Sequence, residues 1–270
     1  MKVARRCEII AEVGINHNGN METAQQMIRQ AAAQGADVIK FQLYKPVKLL
    51  KPGWFSAEDW AAILASELTE DMLLFLYGQC QDLGIEFMAS AFDTERLSWL
   101  EKLGVKRHKI ASRSVYDEEY VERVKATGKP VLVSMGWAMD LEGFGVDERV
   151  REDFEKRRKG QLPIATINRV MYGAGERVRL LYCISKYPTE LNELKDFPQN
   201  YSFYDGFSDH TQGLTAAKAA IARGARVIEK HFTLDPQAPG PDQVASMTPA
   251  ELGELVRFRD EYWRIISSGR

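Results

Sequence analysis

Eight short runs rich in Ile, Val, Leu and Phe recur along the chain, and most are followed by helical periodicity. That rhythm restricts the fold more than any other feature. The runs are EIIAEVG (8–14), DVIKFQL (37–43), IEFMASA (85–91), RHKIAS (107–112), PVLVSM (130–135), VRLLYC (178–183), YDGFSD (204–209) and RVIEKHF (226–232). Several are apolar on both faces, as parallel strands covered on both sides should be. Between them, 21–35 places Ala24, Met27, Ile28 and Ala31 on one stripe and stops at Gly35, while 69–84 opens on Thr69 as N-cap and stops at Gly84. The segments 214–224 and 248–266 read as two more helices.

Strand followed by helix, eight times in about 250 residues, predicts an α/β fold: a single TIM (β/α)8 barrel spanning 1–270. A doubly wound open sheet has the same local pattern, but no GxGxxG turn follows the first run, which excludes its dinucleotide-binding version. Two connections are long, 44–68 and 136–177; the second is expected to hold the fifth helix and an insertion carrying RKGQLP.

Thirty-six Lys and Arg stand against 38 Asp and Glu, a net charge of −2. That balance offers no basic field for nucleic acid or an anionic membrane, so anion binding must come from a few placed groups. Cys7, Cys80 and Cys183 form no CxxC, and no run reaches 18 apolar residues. A cytoplasmic location is the expectation.

In a barrel, the C-terminal strand ends carry the chemistry. Polar residues gather there: Glu12 on the first run, Lys40 and Gln42 on the second, Ser90 on the third, Lys109 and Ser112 on the fourth. Ser185 and Tyr187 follow the sixth, Ser208 and His210 close the seventh, and His231 closes the eighth. Singly, each has a structural reading: a histidine is more often hydrogen-bonded in a core than a ligand, and Glu12 or Lys40 could be half of a structural ion pair. Jointly, so many polar groups at one rim would all need partners if they had no function. Two lysines with several hydroxyls suit a phosphate or carboxylate, two imidazoles suit a divalent metal, and a carboxylate suits proton transfer. The set fits carbonyl addition or its reversal and not hydride transfer.

The stretches IIAEVGINHNGN, GADVIKFQLY, FMASAFD, KIAS, YPTE, GFSDHTQGLTAAKAAIARGARVIEKHFTLD and GPDQVASMTP resemble the N-acetylneuraminate synthase family, which includes legionaminate and pseudaminate synthases and spore-coat polysaccharide enzymes. The resemblance implies a homodimeric barrel that condenses phosphoenolpyruvate with an open-chain N-acetylmannosamine-like sugar. It implies a divalent metal on His210 and His231, manganese before magnesium or cobalt, and Glu12, Lys40 and Lys109 as the catalytic groups. Phosphoenolpyruvate contacts would fall on Lys40, Ser90, Lys109, Ser112, Ser185 and Ser208, and sugar contacts on Gln42, Tyr187 and Asp242.

The departures point to a shifted sugar preference. Ser185 stands where neuraminate enzymes usually carry Asn; ASRS replaces Gly-Ser-Gly-Glu, so Ser114 takes the place of a sugar-binding Glu and Arg113 adds a charge; GPDQ replaces GPDH. The chain also stops at Arg270, before the antifreeze-like domain that supplies an arginine to the partner's site in the family. Arg113 or the 136–177 insertion is the expected replacement. Two alternatives stay open: another aldehyde acceptor on the same barrel, or an inactive sugar-binding scaffold subunit.

Overall fold

The structure, a computed structural model, describes residues 6–136, 178–194 and 196–268. Eight parallel strands close on themselves in sequence order: β1 (Glu8–Gly14), β2 (Val38–Leu43), β3 (Glu86–Ala91), β4 (His108–Ile110), β5 (Val131–Ser134), β6 (Val178–Cys183), β7 (Gly206–Asp209) and β8 (Val227–His231). The closing pair aligns Glu12 with His231, while β1 and β2 align Glu12 with Lys40. Every run read as a strand forms one. β4 is shorter than its run, and Ser112 falls in the 3-10 turn Ser112–Tyr116 that follows it.

Alternation along the strands divides the barrel interior into three levels. At the N-terminal end, Arg107 bridges Glu8 and Glu86, with Arg179 3.8 Å from Glu8. Above this ionic floor Ile10, Val38, Met88, Leu132, Leu181 and Val227 form a dry plug. Gly206 completes that level because a Cβ there would lie 2.2 Å from the Val227 carbonyl oxygen. Two residues further along, β1, β2, β3, β5, β7 and β8 carry Glu12, Lys40, Ser90, Ser134, Ser208 and Glu229.

Outside the ring lie α1 (Met21–Ala33), α2 (Pro46–Leu49), α3 (Ala57–Ala65), α4 (Glu70–Leu83), α5 (Thr94–Leu103), α6 (Glu118–Ala126), α7 (Thr215–Ala222) and α8 (Pro249–Ser267). α1 buries the four residues expected of its stripe. Asn20 caps it, and Thr69 accepts from the Met72 amide to cap α4, contacts worth about 1 kcal/mol each. α7 packs through Ala216, Ala217 and Ala220, small enough to let the helix lie close to β7 and β8.

One part of the expected alternation fails. The described residues between β6 and β7 form no α-helix, only a 3-10 turn, Leu191–Glu193. Pro188 and Pro198 interrupt helical hydrogen bonding there. Aromatic rings cover the strands instead: Tyr182 meets Phe197 edge-on at 5.8 Å and Tyr204 at 5.6 Å, and Phe197 meets Phe207 at 5.4 Å. The fifth helix and the RKGQLP insertion lie outside the described residues.

Candidate active site

The C-terminal ends of the strands open into a cavity of about 600 Å³. Four buried charges hold its floor. The Lys40 ammonium lies 2.8 Å from Glu12 Oε1 and 3.0 Å from Glu229 Oε2, and Lys109 lies 3.3 Å from Glu229 Oε1. Hydroxyls and an amide complete the set: Lys40 donates to Ser90 (3.3 Å), Lys109 to Ser134 (2.8 Å), Ser208 to Glu229 (2.8 Å) and Gln42 to Glu12 (2.8 Å). Parallel register builds this cluster, aligning Gln42 with Ser90, Ser90 with Lys109 and Ser208 with Glu229.

Burial alone would raise the Glu12 pKa, but the Lys40 ammonium outweighs it and holds the carboxyl well below the ordinary carboxylate range. Glu12 is therefore ionised at rest. Burial lowers Lys40 less than Glu12 and Glu229 raise it, so its pKa rises; Lys109, where burial dominates Glu229, is lowered. Two ammonium groups against two carboxylates leave the floor without net charge.

The two histidines expected as ligands approach from neighbouring strands. Their ring centres are 5.7 Å apart, and the Tyr187 ring lies 4.1 Å from that of His210. Nδ1 of His210 is 2.5 Å from the Ile184 carbonyl oxygen, a contact that suits Nδ1–H. His231 is 1 % exposed and lies behind the cavity surface; its Nδ1 is buried without a hydrogen-bond partner, 3.8 Å from Asp242 Oδ2. Gly14, at φ +55°, passes so close that a Cβ would stand 3.1 Å from the His231 ring. Among the described residues no three His, Cys, Asp or Glu groups are gathered tightly enough to enclose an ion. The two imidazoles are the groups that would hold a cation, with positions left open, and the unpartnered Nδ1 of His231 is an observation that suits this.

All the other site residues expected from the sequence line this one cavity: Glu12, Lys40, Gln42, Ser90, Lys109, Ser112, then Arg113, Ser185, Tyr187, Ser208, His210 and Asp242. Ser112 accepts from the Gly136 amide, and Arg113 donates to the Leu49 carbonyl at 3.0 Å. Sequence reasoning missed two contributors. Ser134 was legible in PVLVSM as the inward position two beyond Leu132. The bridging role of Glu229 was not, because its second lysine comes from a strand 120 residues away in the chain.

A third histidine, His17, follows β1 and is fully buried, its Nδ1 accepting from the Gly19 amide at 3.2 Å. Burial lowers its pKa to about 4. Between pH 4 and the unfolded value near 6.5 the unfolded chain binds a proton that the folded chain does not, so stability falls as pH drops through that window. The loss at pH 4 is expected to reach roughly 3 kcal/mol, and His17→Gln should flatten that part of a urea-denaturation series. An unchanged slope in the variant would contradict this assignment.

The closed eight-stranded barrel, with ionisable groups converging at the C-terminal ends of its strands, places the protein among the TIM-barrel enzymes. The sequence profile of the NeuB family matches residues 27–270. The N,N'-diacetyllegionaminic acid synthase of Legionella pneumophila is 33% identical over 279 residues, covering 97% of this chain and 74% of that protein. The pseudaminic acid synthase of Campylobacter jejuni is 29% identical, covering 92% and 71%. The crystal structure of the N-acetylneuraminic acid synthetase of Leptospira borgpetersenii, in complex with citrate, superposes with a TM-score of 0.75 at 27% identity, covering 98% of this chain and 87% of that one. The chain belongs to the NeuB family and is an enzyme, a synthase. No helix among the described residues is long and apolar enough to cross a membrane.

Proposed function

We propose that the enzyme condenses phosphoenolpyruvate with an N-acetylmannosamine-like amino sugar to give a nine-carbon 2-keto acid sugar and inorganic phosphate. The observation that carries this reading is the Glu12–Lys40–Glu229–Lys109 cluster set beside two histidines at one cavity, in a chain of this family. Lys40, Lys109 and the surrounding serines offer donors for the phosphate and carboxylate of phosphoenolpyruvate. Because the floor carries no net charge, a polyanion calls for further positive charge, which a divalent ion on His210 and His231, manganese in first place, would bring. Bound there, it supplies Lewis-acid polarisation of the acceptor's aldehyde oxygen.

In the reaction, the C2=C3 electrons of phosphoenolpyruvate form the bond from C3 to the aldehyde carbon, and water adds to C2. One water proton passes through Glu12 to the new alkoxide oxygen; the bond from C2 to the phosphate oxygen then breaks, and the second water proton leaves with the phosphate as C2 becomes the ketone. The incoming phosphate competes for the Lys40 ammonium, which raises the Glu12 pKa at the moment a base is needed.

Products of phosphoenolpyruvate, Mn²⁺ and a panel of 2-acetamido and 2,4-diacetamido hexoses, identified by mass spectrometry, test the reading. Phosphate release should require both substrates; release with phosphoenolpyruvate alone would overturn it. The ion is tested separately by calorimetric titration of Mn²⁺, in which His231→Ala should abolish binding. Sedimentation equilibrium checks the homodimer implied by the family resemblance. Arg113→Ala should raise the acceptor KM about tenfold while leaving that for phosphoenolpyruvate nearly unchanged, the loss of one charge-assisted hydrogen bond. Equal effects on both constants would remove Arg113 from sugar recognition.

A further inference from the structure

One buried ion pair outside the cavity takes no part in the proposed reaction. Side chains alternate along β7 and β8, so while Ser208, His210, Glu229 and His231 turn inward, Asp209 and Lys230 turn outward. They enter the core between barrel and helices, where Phe207 and Ile228 pack. Lys230 Nζ lies 3.2 Å from Asp209 Oδ2, the lysine side chain 1 % exposed and the aspartate 0 %. Each is the chain neighbour of one histidine: Asp209 precedes His210, and Lys230 precedes His231.

The pair also grips the backbone on the far side of His210. Asp209 Oδ1 accepts from the Thr211 amide at 2.8 Å, and the Lys230 ammonium donates to the Thr211 carbonyl oxygen. The β7–β8 ladder ends at Asp209 and Lys230, so His210 lies one residue past the last register contact of the two strands. On the side away from β8, the His210 carbonyl accepts from the Thr189 amide at 2.9 Å. Beyond the ladder, Lys230 carries the connection between this turn and β8 among the described residues.

Stability alone does not account for two charges in an apolar layer, since a well-packed apolar pair in such a place is often equally or more stabilising. Directed contacts do: an ammonium and a carboxylate that bracket one residue's amide and carbonyl fix its position, which apolar packing does not. We infer that Lys230 and Asp209 are positioning residues that set the approach of His210 to His231, whose ring centres stand 5.7 Å apart, and thereby how tightly the two imidazoles share a divalent cation. The inference rests on the two-histidine cation site proposed above.

Calorimetric titration of Mn²⁺ into Lys230→Met separates position from charge. Through the field alone, removing a positive charge near a cation tightens binding. Lost positioning weakens it instead, with Kd rising about 10- to 100-fold, the range for residues that orient metal ligands. An unchanged or lower Kd overturns the inference. If Lys230→Met does not fold, Asp209→Leu combined with Lys230→Met leaves neither charge buried alone and the net charge unaltered, and the same rise in Kd is expected. A lower urea midpoint in that double variant with Kd unaltered reduces the pair to a structural role and overturns the inference. Should the wild type bind no Mn²⁺, the cation site fails on its own, and NMR decides the geometry. In proton–nitrogen correlation spectra of the imidazole rings, the His210 and His231 signals should both move in the double variant while those of His17 and His108 stay. An unmoved His210 or His231 signal overturns the inference.

Discussion

Glu12→Gln is expected to lower kcat at least 100-fold while the barrel stays folded, the span general-base contributions commonly reach being about 10² to 10⁴. Glutamine preserves the size of the side chain and can still accept from Gln42, so the register of β1 with β2 and β8 has no reason to move. What disappears is a carboxylate set between a lysine of the floor and one histidine of the pair: Oε1 lies 2.8 Å from Lys40 and Oε2 lies 3.7 Å from His231. The variant should bind phosphoenolpyruvate with near-normal affinity, because Lys40 retains Glu229 and gains freedom to meet an anion. Circular dichroism, phosphoenolpyruvate titration and single-turnover phosphate release separate these effects. A variant that turns over within a few-fold of the wild type would exclude Glu12 as the proton acceptor.

Lys40→Met should act on stability as well as catalysis. Methionine roughly fills the lysine's volume, but Glu12 and Glu229 remain buried as two carboxylates that have lost their shared cation. Breaking a buried pair in this way costs about 3–5 kcal/mol, read as a lower urea midpoint at unchanged slope. The sign with pH follows. In the wild type, Glu12's lowered folded pKa adds stability above its unfolded value, and this is lost as pH falls through the folded one. In the variant, loss of Lys40 raises the folded carboxylate pKa, so the deficit against wild type should shrink on acidification. Adding Glu12→Gln to Lys40→Met should restore part of the midpoint by removing the carboxylate left without a lysine, since Glu229 keeps Lys109. A double variant no more stable than the single would show that the network is not coupled as its distances imply.

The histidines illustrate both what the chain order discloses and what it conceals. SDHT and EKHF place His210 and His231 at the ends of consecutive apolar runs, so their common rim follows from strand polarity alone. That His231 lies beneath the cavity surface with an unpartnered Nδ1 depends on Gly14 and Asp242, brought against it from opposite ends of the chain. Lys40 and Gln42, two apart on one strand, could be assigned to one face; their shared partner Glu12 needed the register. The 44–68 connection read only as a long loop. Its aromatic residues show no period, and nothing local indicates which of them face a cavity.

Sequence alone determined the strand count, the parallel barrel and the rim at which polar side chains gather, because apolar periodicity and side-chain alternation are properties of a single strand. Tertiary structure decided which charges pair, where a ring replaces a helix between β6 and β7, and which residues of a loop face the cavity. Those outcomes depend on contacts between residues far apart in the chain, where ångström differences in register choose whether a buried lysine meets one carboxylate or two.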